Sequence, residues 1–220
     1  MGGRRDSGEA DDDGAAVSGG GADPRRHAPA TQRNREPILE VLYRVLPASG
    51  RVLELASGTG EHAVWFAHAL RPLVWVPSDP DPEMRRSIAA HAASAQVRTL
   101  ETPLDIDVTR RPWPVAHADA VVCINLLHIA PWAASEGLMA GAAEVLPTDA
   151  PLYVYGPFTR DGAHTAESNA RFDESLRASD PAWGVRDVAE VTAEAERRGL
   201  ALDEVVEMPA NNLSLVFRKS

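Results

Sequence analysis

Cysteine, lysine and long apolar runs are what this sequence most conspicuously lacks. Its only cysteine, Cys123, allows no internal disulfide and no cysteine-based zinc site, and a reducing cytoplasmic setting is expected. No apolar run approaches the roughly 18 positions of a membrane span, so no membrane association is expected. Lys219 is the sole lysine, and arginine supplies the other cations. With 22 basic against 32 acidic residues the formal net charge is −10, which argues against a nucleic-acid footprint, because neutralising phosphates takes clustered cations. Small-molecule or protein substrates are favoured instead.

What is present reads as one soluble globular unit. At 220 residues, 44% of them hydrophobic, the chain can bury a continuous core without a metal or disulfide. Residues 1–25 are excepted. This acidic Gly/Asp/Ala-rich stretch cannot offset its ordering entropy by burial, and a disordered tail is expected there. It has neither the apolar region of a signal peptide nor the basic character of a transit peptide. A single domain is expected over 26–220.

Along that domain, helical and strand patterns alternate. Ile38, Leu39, Val41, Leu42, Val45 and Leu46 recur at helical spacing, with Asn34 as N-cap and Pro37 in the first turn. Arg51 to Leu55 reads as a short buried strand, and a helix from His62 to Leu70 follows it across a glycine-rich turn. Next come a strand at Leu73 to Pro77, a helix at Pro82 to Ala93, a weaker strand near Val97 to Leu100 and a strand at Asp119 to Asn125. The run Ala120 to Ile124 is apolar on both faces, as a central parallel strand should be. A helix from Ala134 to Leu146 and a strand from Leu152 to Tyr155 complete the alternation, which implies a doubly wound sheet. Two helices, Ser168 to Ala178 and Val188 to Arg198, then lead into successive strands at Ala201 to Met208 and Leu213 to Arg218. Four residues join that last pair, too few for a parallel crossover, so an antiparallel hairpin must close the chain. The expectation is a Rossmann-like α/β fold with a mainly parallel seven-stranded sheet, a C-terminal antiparallel hairpin and helices on both faces.

In open α/β sheets ligands bind beyond the carboxyl ends of the strands. Here those positions are polar: Ala56, Ser57, Gly58, Thr59 and Gly60 after the first strand, Asp79 after the second, Asp105 and Asp107 after the third, and Asn125 with His128 after the fourth. Gly58 and Gly60 let backbone N–H groups and a helix N-terminus approach a ligand closely. The same run fits the G-x-G-x-x-A version of the dinucleotide fingerprint, with Asp79 at the distance of the ribose acid, so an NAD(P)-dependent oxidoreductase stays open. Glu54 tilts the choice. A carboxylate four residues before Gly58 would oppose a pyrophosphate but attracts a cationic ligand bearing a sulfonium and an ammonium, as S-adenosylmethionine does. The terminal hairpin points the same way, because dinucleotide-dependent dehydrogenases of this layout usually lack it. A non-catalytic module that binds the adenosyl ligand without turnover is the third alternative.

The segments Arg33 to Leu39, Leu53 to Ala63 and Pro209 to Phe217 resemble a family within the class I S-adenosylmethionine-dependent methyltransferases, one long catalogued as a domain of unknown function. Asn125 to Trp132, Tyr155 to Phe158 and Trp183 to Asp187 look like further family segments, so the resemblance runs from about Arg26 to Arg218. It implies an enzyme that passes a methyl group from S-adenosylmethionine to an acceptor and releases S-adenosylhomocysteine; the resemblance supplies no acceptor, and a small molecule is preferred on composition and charge. By the class pattern Glu54, Gly58 and Gly60 match the first cofactor motif. Asp79 matches the ribose acid, Asp107 the residue near adenine and Asn125 the position lining the methionine end. Ala56 departs from the pattern, standing where many class members have glycine, and a tightened loop rather than lost binding is expected.

Other candidates come from position. Arg33, before the first helix, could pair the methionine carboxylate. His128, just past the fourth strand, could take a proton from the acceptor as the methyl arrives. Trp132, Tyr155, Asn169, Arg186, Asn211 and Asn212 are candidate acceptor contacts. Each has an ordinary alternative: capping for Asp79, packing for His128 and Trp132, turn chemistry for the asparagines. No metal site is expected, because His128 and His164 lack a carboxylate partner that the sequence can place.

Overall fold

A computed structural model of the chain describes residues 23–220. The tail expected over 1–25 lies outside the described residues as far as residue 22. Eight strands and six α-helices follow one another: α1 Pro29–Val45, β1 Arg51–Leu55, α2 Glu61–Ala69, β2 Val74–Pro77, α3 Pro82–Ala95, β3 Ala120–Ile124, α4 Trp132–Val145, β4 Pro151–Arg160, β5 Ala163–His164, α5 Glu167–Ser179, β6 Arg186–Asp187, α6 Val188–Arg197, β7 Leu200–Met208 and β8 Asn212–Lys219.

The main sheet runs β2-β1-β3-β4-β8-β7, and the two-residue strands β5 and β6 pair with the far end of β4. The β2–β1, β1–β3 and β3–β4 pairs are parallel, whereas β8 is antiparallel to both of its neighbours. Four parallel strands thus deliver their carboxyl ends to one edge. The expected terminal hairpin is there, joined by a single 3-10 turn at Pro209–Asn211. Ala210 and Asn211 in that turn both have φ of 58°.

Strand alternation assigns the two faces. Leu53, Leu55, Val121, Cys123, Leu152 and Val154 join one core cluster, with Leu138 and Met139 of α4 and Val191 of α6. Val52, Ala120, Val122, Ile124 and Tyr153 join the other, with Ile38 and Leu42 of α1 and Phe66 of α2. Because side chains two apart share a face, Glu54 falls on the same side as Val52, beneath α1 and α2.

Two expectations shift. The segment near Val97 to Leu100 forms no strand and touches β2 through two isolated bridges, Trp75 to Leu100 and Ser78 to Leu104. Pro103 lies between them and has no N–H to donate, which breaks the ladder. Helix α1 starts at Pro29, five residues before Asn34, with Ala28 as its N-cap and proline in the first turn. Asn34 is therefore inside the helix, its side chain free for other work, and Pro37 is an interior residue rather than a first-turn one.

Candidate functional site

The site grows from the turn after β1. Glu54 is 1% exposed. Its Oε2 accepts hydrogen bonds from Trp75 Nε1 at 2.9 Å and Ser57 Oγ at 3.0 Å. Burial pushes this carboxyl up to about 7, against those hydrogen bonds, with the nearby Asp79 charge adding to the rise. Trp75 is thus the clamp that fixes the acid.

Past Glu54 the chain turns through Ala56 (φ 54°), Gly58 (φ 55°) and Gly60 (φ 90°), all in the left-handed region. Ala56 adopts a left-handed conformation at a steric cost an L-residue carries and glycine does not. The loop is tied down on both sides. Ser57 N donates to Ser78 O at 2.8 Å, and Ser78 N donates to Ser57 Oγ at 3.1 Å. Asp79 Oδ2 accepts from Gly58 N at 3.0 Å, and its Oδ1 accepts from Asp81 N at 2.9 Å. The N-cap of α3 is Asp81, not Asp79, so Asp79 is left to face the glycine loop. Burial raises its pKa, and the backbone hydrogen bonds from Asp81 and Gly58 oppose the rise.

The glycines differ in purpose. A Cβ on Gly60 would come within 2.7 Å of the Ile88 Cα, so this residue lets α3 pack on the turn. A Cβ on Gly58 would meet nothing within 4 Å, and Gly58 borders a cavity of about 650 Å³. Among the described residues Glu54, Asp79 and Asp107 are the charged ones lining that cavity, and no arginine or lysine does. Met84, Ile106 and Val108 supply apolar wall. Asp107 belongs to an irregular segment rather than a strand. Its Oδ1 accepts from Thr109 Oγ1 at 2.7 Å, which leads the forces holding its pKa down, while Asp105 turns outward to Arg85 at 3.1 Å.

A second cavity of about 710 Å³ adjoins the first, the two sharing Ala30, Asn125 and Ile129 as lining. His128, Tyr155, Asn169, Asn211 and Asn212 line it. His128 is buried on the 3-10 turn Leu127–Ile129, and burial, then the Arg186 charge, lowers its pKa to about 4. The imidazole is therefore neutral at pH 7. Asn169 Nδ2 donates to Asn211 O at 2.9 Å, linking α5 to the hairpin turn.

Three candidates sit elsewhere than expected. Arg33 lines the second cavity rather than the first, because the early start of α1 carries it past the glycine loop. Trp132 and Arg186 line neither of these two cavities. The Arg186 guanidinium donates to Leu127 O, Ala130 O and Ala182 O at 3.1, 2.6 and 2.9 Å, and lies 5.9 Å from the Trp132 ring. It holds the His128 turn in place.

Other contributors carry no sequence motif of their own. His62 lines the first cavity and stacks on Phe66, and its Nε2 lies 2.9 Å from Asn34 Oδ1. Burial brings its pKa down to about 4. Asn34 also meets the Tyr155 hydroxyl, so this chain of side chains crosses the wall between the cavities. Residues 23–28 lie as a strap over α2 and α3. Glu61 accepts from Ala28 N at 2.7 Å and lies 3.0 Å from His27 Nδ1, and Ser87 Oγ accepts from Arg26 N at 2.8 Å. Among the described residues no cluster of side chains suited to a metal ion occurs, and no helix is long and apolar enough to cross a membrane.

Comparison with solved structures agrees with this architecture. The chain is similar to the calicheamicin-biosynthesis methyltransferase CalO1 in its SAH-bound form (TM-score 0.68, 22% identity, 84% of this chain and 54% of that one). It is also similar to the S-adenosylmethionine-dependent methyltransferase SibL (0.71, 18%, 86% and 55%). A third likeness is to an O-methyltransferase family 2 protein from Planctomyces limnophilus DSM 3776 in complex with apigenin (0.75, 19%, 87% and 58%). The chain spans a little over half the length of each, and at these identities the likeness is one of fold. Residues 25–219 match the family described as "Protein of unknown function (DUF938)". The chain belongs to that family, and its fold is the Rossmann-like one of class I methyltransferases.

Proposed function

We propose that this protein is an S-adenosylmethionine-dependent methyltransferase acting on a small-molecule acceptor. One observation carries the reading: among the described residues, the cavity at the carboxyl edge of the sheet is lined by three carboxylates and by no arginine or lysine. A dinucleotide would bring its pyrophosphate against those charges unpaired, whereas a sulfonium and an ammonium are stabilised by them. The residues fit the ligand in kind. Glu54 is a buried carboxylate whose Oε2 is held by Trp75 and Ser57, leaving Oε1 for the cationic end. Asp79, beside the Gly58 N–H, suits ribose hydroxyls. Met84 and Ile106 offer the apolar walls a purine needs, with Asp107 at the rim.

S-adenosylmethionine, when bound, supplies an electrophilic methyl and leaves as the neutral thioether S-adenosylhomocysteine. The chain's own part is alignment and exclusion of water. Asn125, with φ of 62° and its N–H on Tyr155 O at 2.8 Å, stands on the wall common to both cavities, where donor and acceptor must meet. Neutral His128 is assigned to receive the acceptor's proton. An acceptor hydroxyl becomes strongly acidic only as its oxygen gains the methyl, so a base as weak as this one suffices late in the transfer.

The test is calorimetry with S-adenosylmethionine, S-adenosylhomocysteine and NAD on the wild type and on Asp79→Ala. Both adenosyl ligands should bind, NAD should not, and Asp79→Ala should weaken both by about tenfold or more, the worth of a charge-assisted hydrogen bond. Folded protein that binds neither adenosyl ligand sinks the proposal.

A further inference from the structure

The two cavities have opposite electrostatic character. Among the described residues Arg33 is the one charged residue lining the second. In a chain with 32 acidic residues and 22 basic ones, a cavity of about 710 Å³ to whose wall the described residues bring no aspartate or glutamate is a selective environment.

Two of the amides around it are already spent within the protein, Asn169 Nδ2 on Thr165 Oγ1 and Asn211 O, and Asn212 Nδ2 on Pro209 O and Ala210 O, which leaves Arg33 as the strongest donor on the wall. Among the described residues Arg33 forms no ion pair, so its guanidinium is available, and Arg is the side chain that meets a carboxylate in two parallel hydrogen bonds. Ser168 adds a hydroxyl, and the Asn125 and Asn211 amides border the same space. The Asn211 Nδ2 is held only by a long contact of 3.5 Å to Ser168 Oγ. His128 is neutral above about pH 4 and puts no second positive charge there.

The rest of the wall is apolar and open. Ile129 is 43% exposed and Phe172 40%, two of the three large hydrophobic side chains left exposed among the described residues, and both line this cavity. Exposed apolar side chains gathered at one concave site mark a ligand surface.

We infer that the second cavity binds a small organic carboxylate, its charge held by Arg33 and its apolar frame placed against Ile129 and Phe172. This rests on the reading of the first cavity as the methyl-donor site, and it names the class of acceptor. The opposite polarity of the cavities serves selection. A cationic donor is drawn to Glu54, Asp79 and Asp107, an anionic acceptor to Arg33, and each is repelled from the other's place.

The probes are 4-hydroxybenzoate and its neutral isostere 4-hydroxybenzamide. Each is titrated by calorimetry into the full-length wild type, Arg33→Gln and Arg33→Lys, with and without S-adenosylhomocysteine. In the wild type the carboxylate should bind at least about tenfold more tightly than the amide. Arg33→Gln should abolish that preference and Arg33→Lys keep part of it, while the affinity of both variants for S-adenosylhomocysteine stays within about twofold of wild type. Equal binding of the two probes, no binding of the carboxylate, or a preference that survives Arg33→Gln overturns the inference. So does a large loss of S-adenosylhomocysteine affinity in Arg33→Gln, which would return Arg33 to the donor site. Failure of S-adenosylhomocysteine to bind any form counts against the methyl-donor reading alone, because the ligand-free arm still reads the preference for the anion.

Discussion

Replacing Glu54 by glutamine removes a buried charge while keeping the side chain's shape and the hydrogen bonds it accepts from Trp75 and Ser57. Its effects on stability and on binding have opposite sign. In the free protein burial raises this carboxyl from 4.5 to about 7. Between those values the native state holds a proton that the unfolded chain has released. Stability from this group is therefore fully present below about pH 4.5 and is lost as pH rises through 7. The difference between 7 and 4.5, at about 1.4 kcal/mol per pH unit, comes to about 3 kcal/mol lost from the wild type above neutrality. Glutamine has no such loss. At pH 8 Glu54→Gln should melt higher than wild type by several degrees, at about 2–4 °C per kcal/mol for a domain of this size, and its stability should vary less between pH 5 and pH 8. Binding should move the other way. The ionised carboxylate has value only when a cation meets it, so the variant should bind S-adenosylmethionine at least about tenfold more weakly. Below pH 7 the wild type must also release a proton as that cation binds. Titration at pH 6 in buffers of different ionisation enthalpy should show up to about one proton released by wild type and close to none by the variant. Equal melting temperatures at pH 8, or binding at pH 6 without proton release, would refute this account of Glu54.

The neighbouring glycines make a matched pair. Gly58→Ala, whose methyl meets no protein atom, should lose only about 1 kcal/mol yet bind S-adenosylhomocysteine at least tenfold more weakly, whereas Gly60→Ala, driven against Ile88, should lose about 3 kcal/mol or more in thermal denaturation. Ala56→Gly relieves a left-handed alanine at about 1–2 kcal/mol and returns about 0.5–1 kcal/mol of backbone entropy, so a gain of roughly 0.5–1 kcal/mol without weaker ligand binding is expected by melting and calorimetry. Glu61→Ala should loosen residues 23–28, speed tryptic cleavage after Arg25 and Arg26, and weaken S-adenosylhomocysteine binding several-fold, because Ala28 continues directly into the cavity wall. Arg186→Ala leaves the Leu127 and Ala130 carbonyls short of a donor; a loss of about 1–3 kcal/mol and a fall in turnover with little change in S-adenosylhomocysteine affinity are expected in stability and kinetic assays.

The alternation of strands and helices was readable because each element carries its own period and its own stop: the all-apolar Ala120 to Ile124, Asp187 capping α6, and Gly199 ending it with φ of 75°. The glycine loop and its acids were readable for the same local reason. The start of α1 was not, since Asn34 looks like a cap in isolation and only Pro29 at the first helical position moves the boundary. That error displaced Arg33 by more than a turn and hid Asn34 as the link between His62 and Tyr155. Arg186 looked like an acceptor contact by its place between the two helices that precede the terminal hairpin. Only the fold shows its guanidinium spent on three backbone carbonyls.

What the residue pattern could not supply is the division of charge between two adjoining cavities. Glu54, Asp79 and Asp107 are spread over more than fifty residues, and Arg33 lies on helix α1 whereas none of them is in a helix. The parallel strands bring the three acids to one edge, and α1, laid over that edge, brings Arg33 to the far side of Asn125. A cation and an anion admitted to such neighbouring spaces approach one another across the wall they share. On the reading proposed above, the attraction that sorts them also draws acceptor toward methyl, which ties selectivity and alignment to the same four side chains.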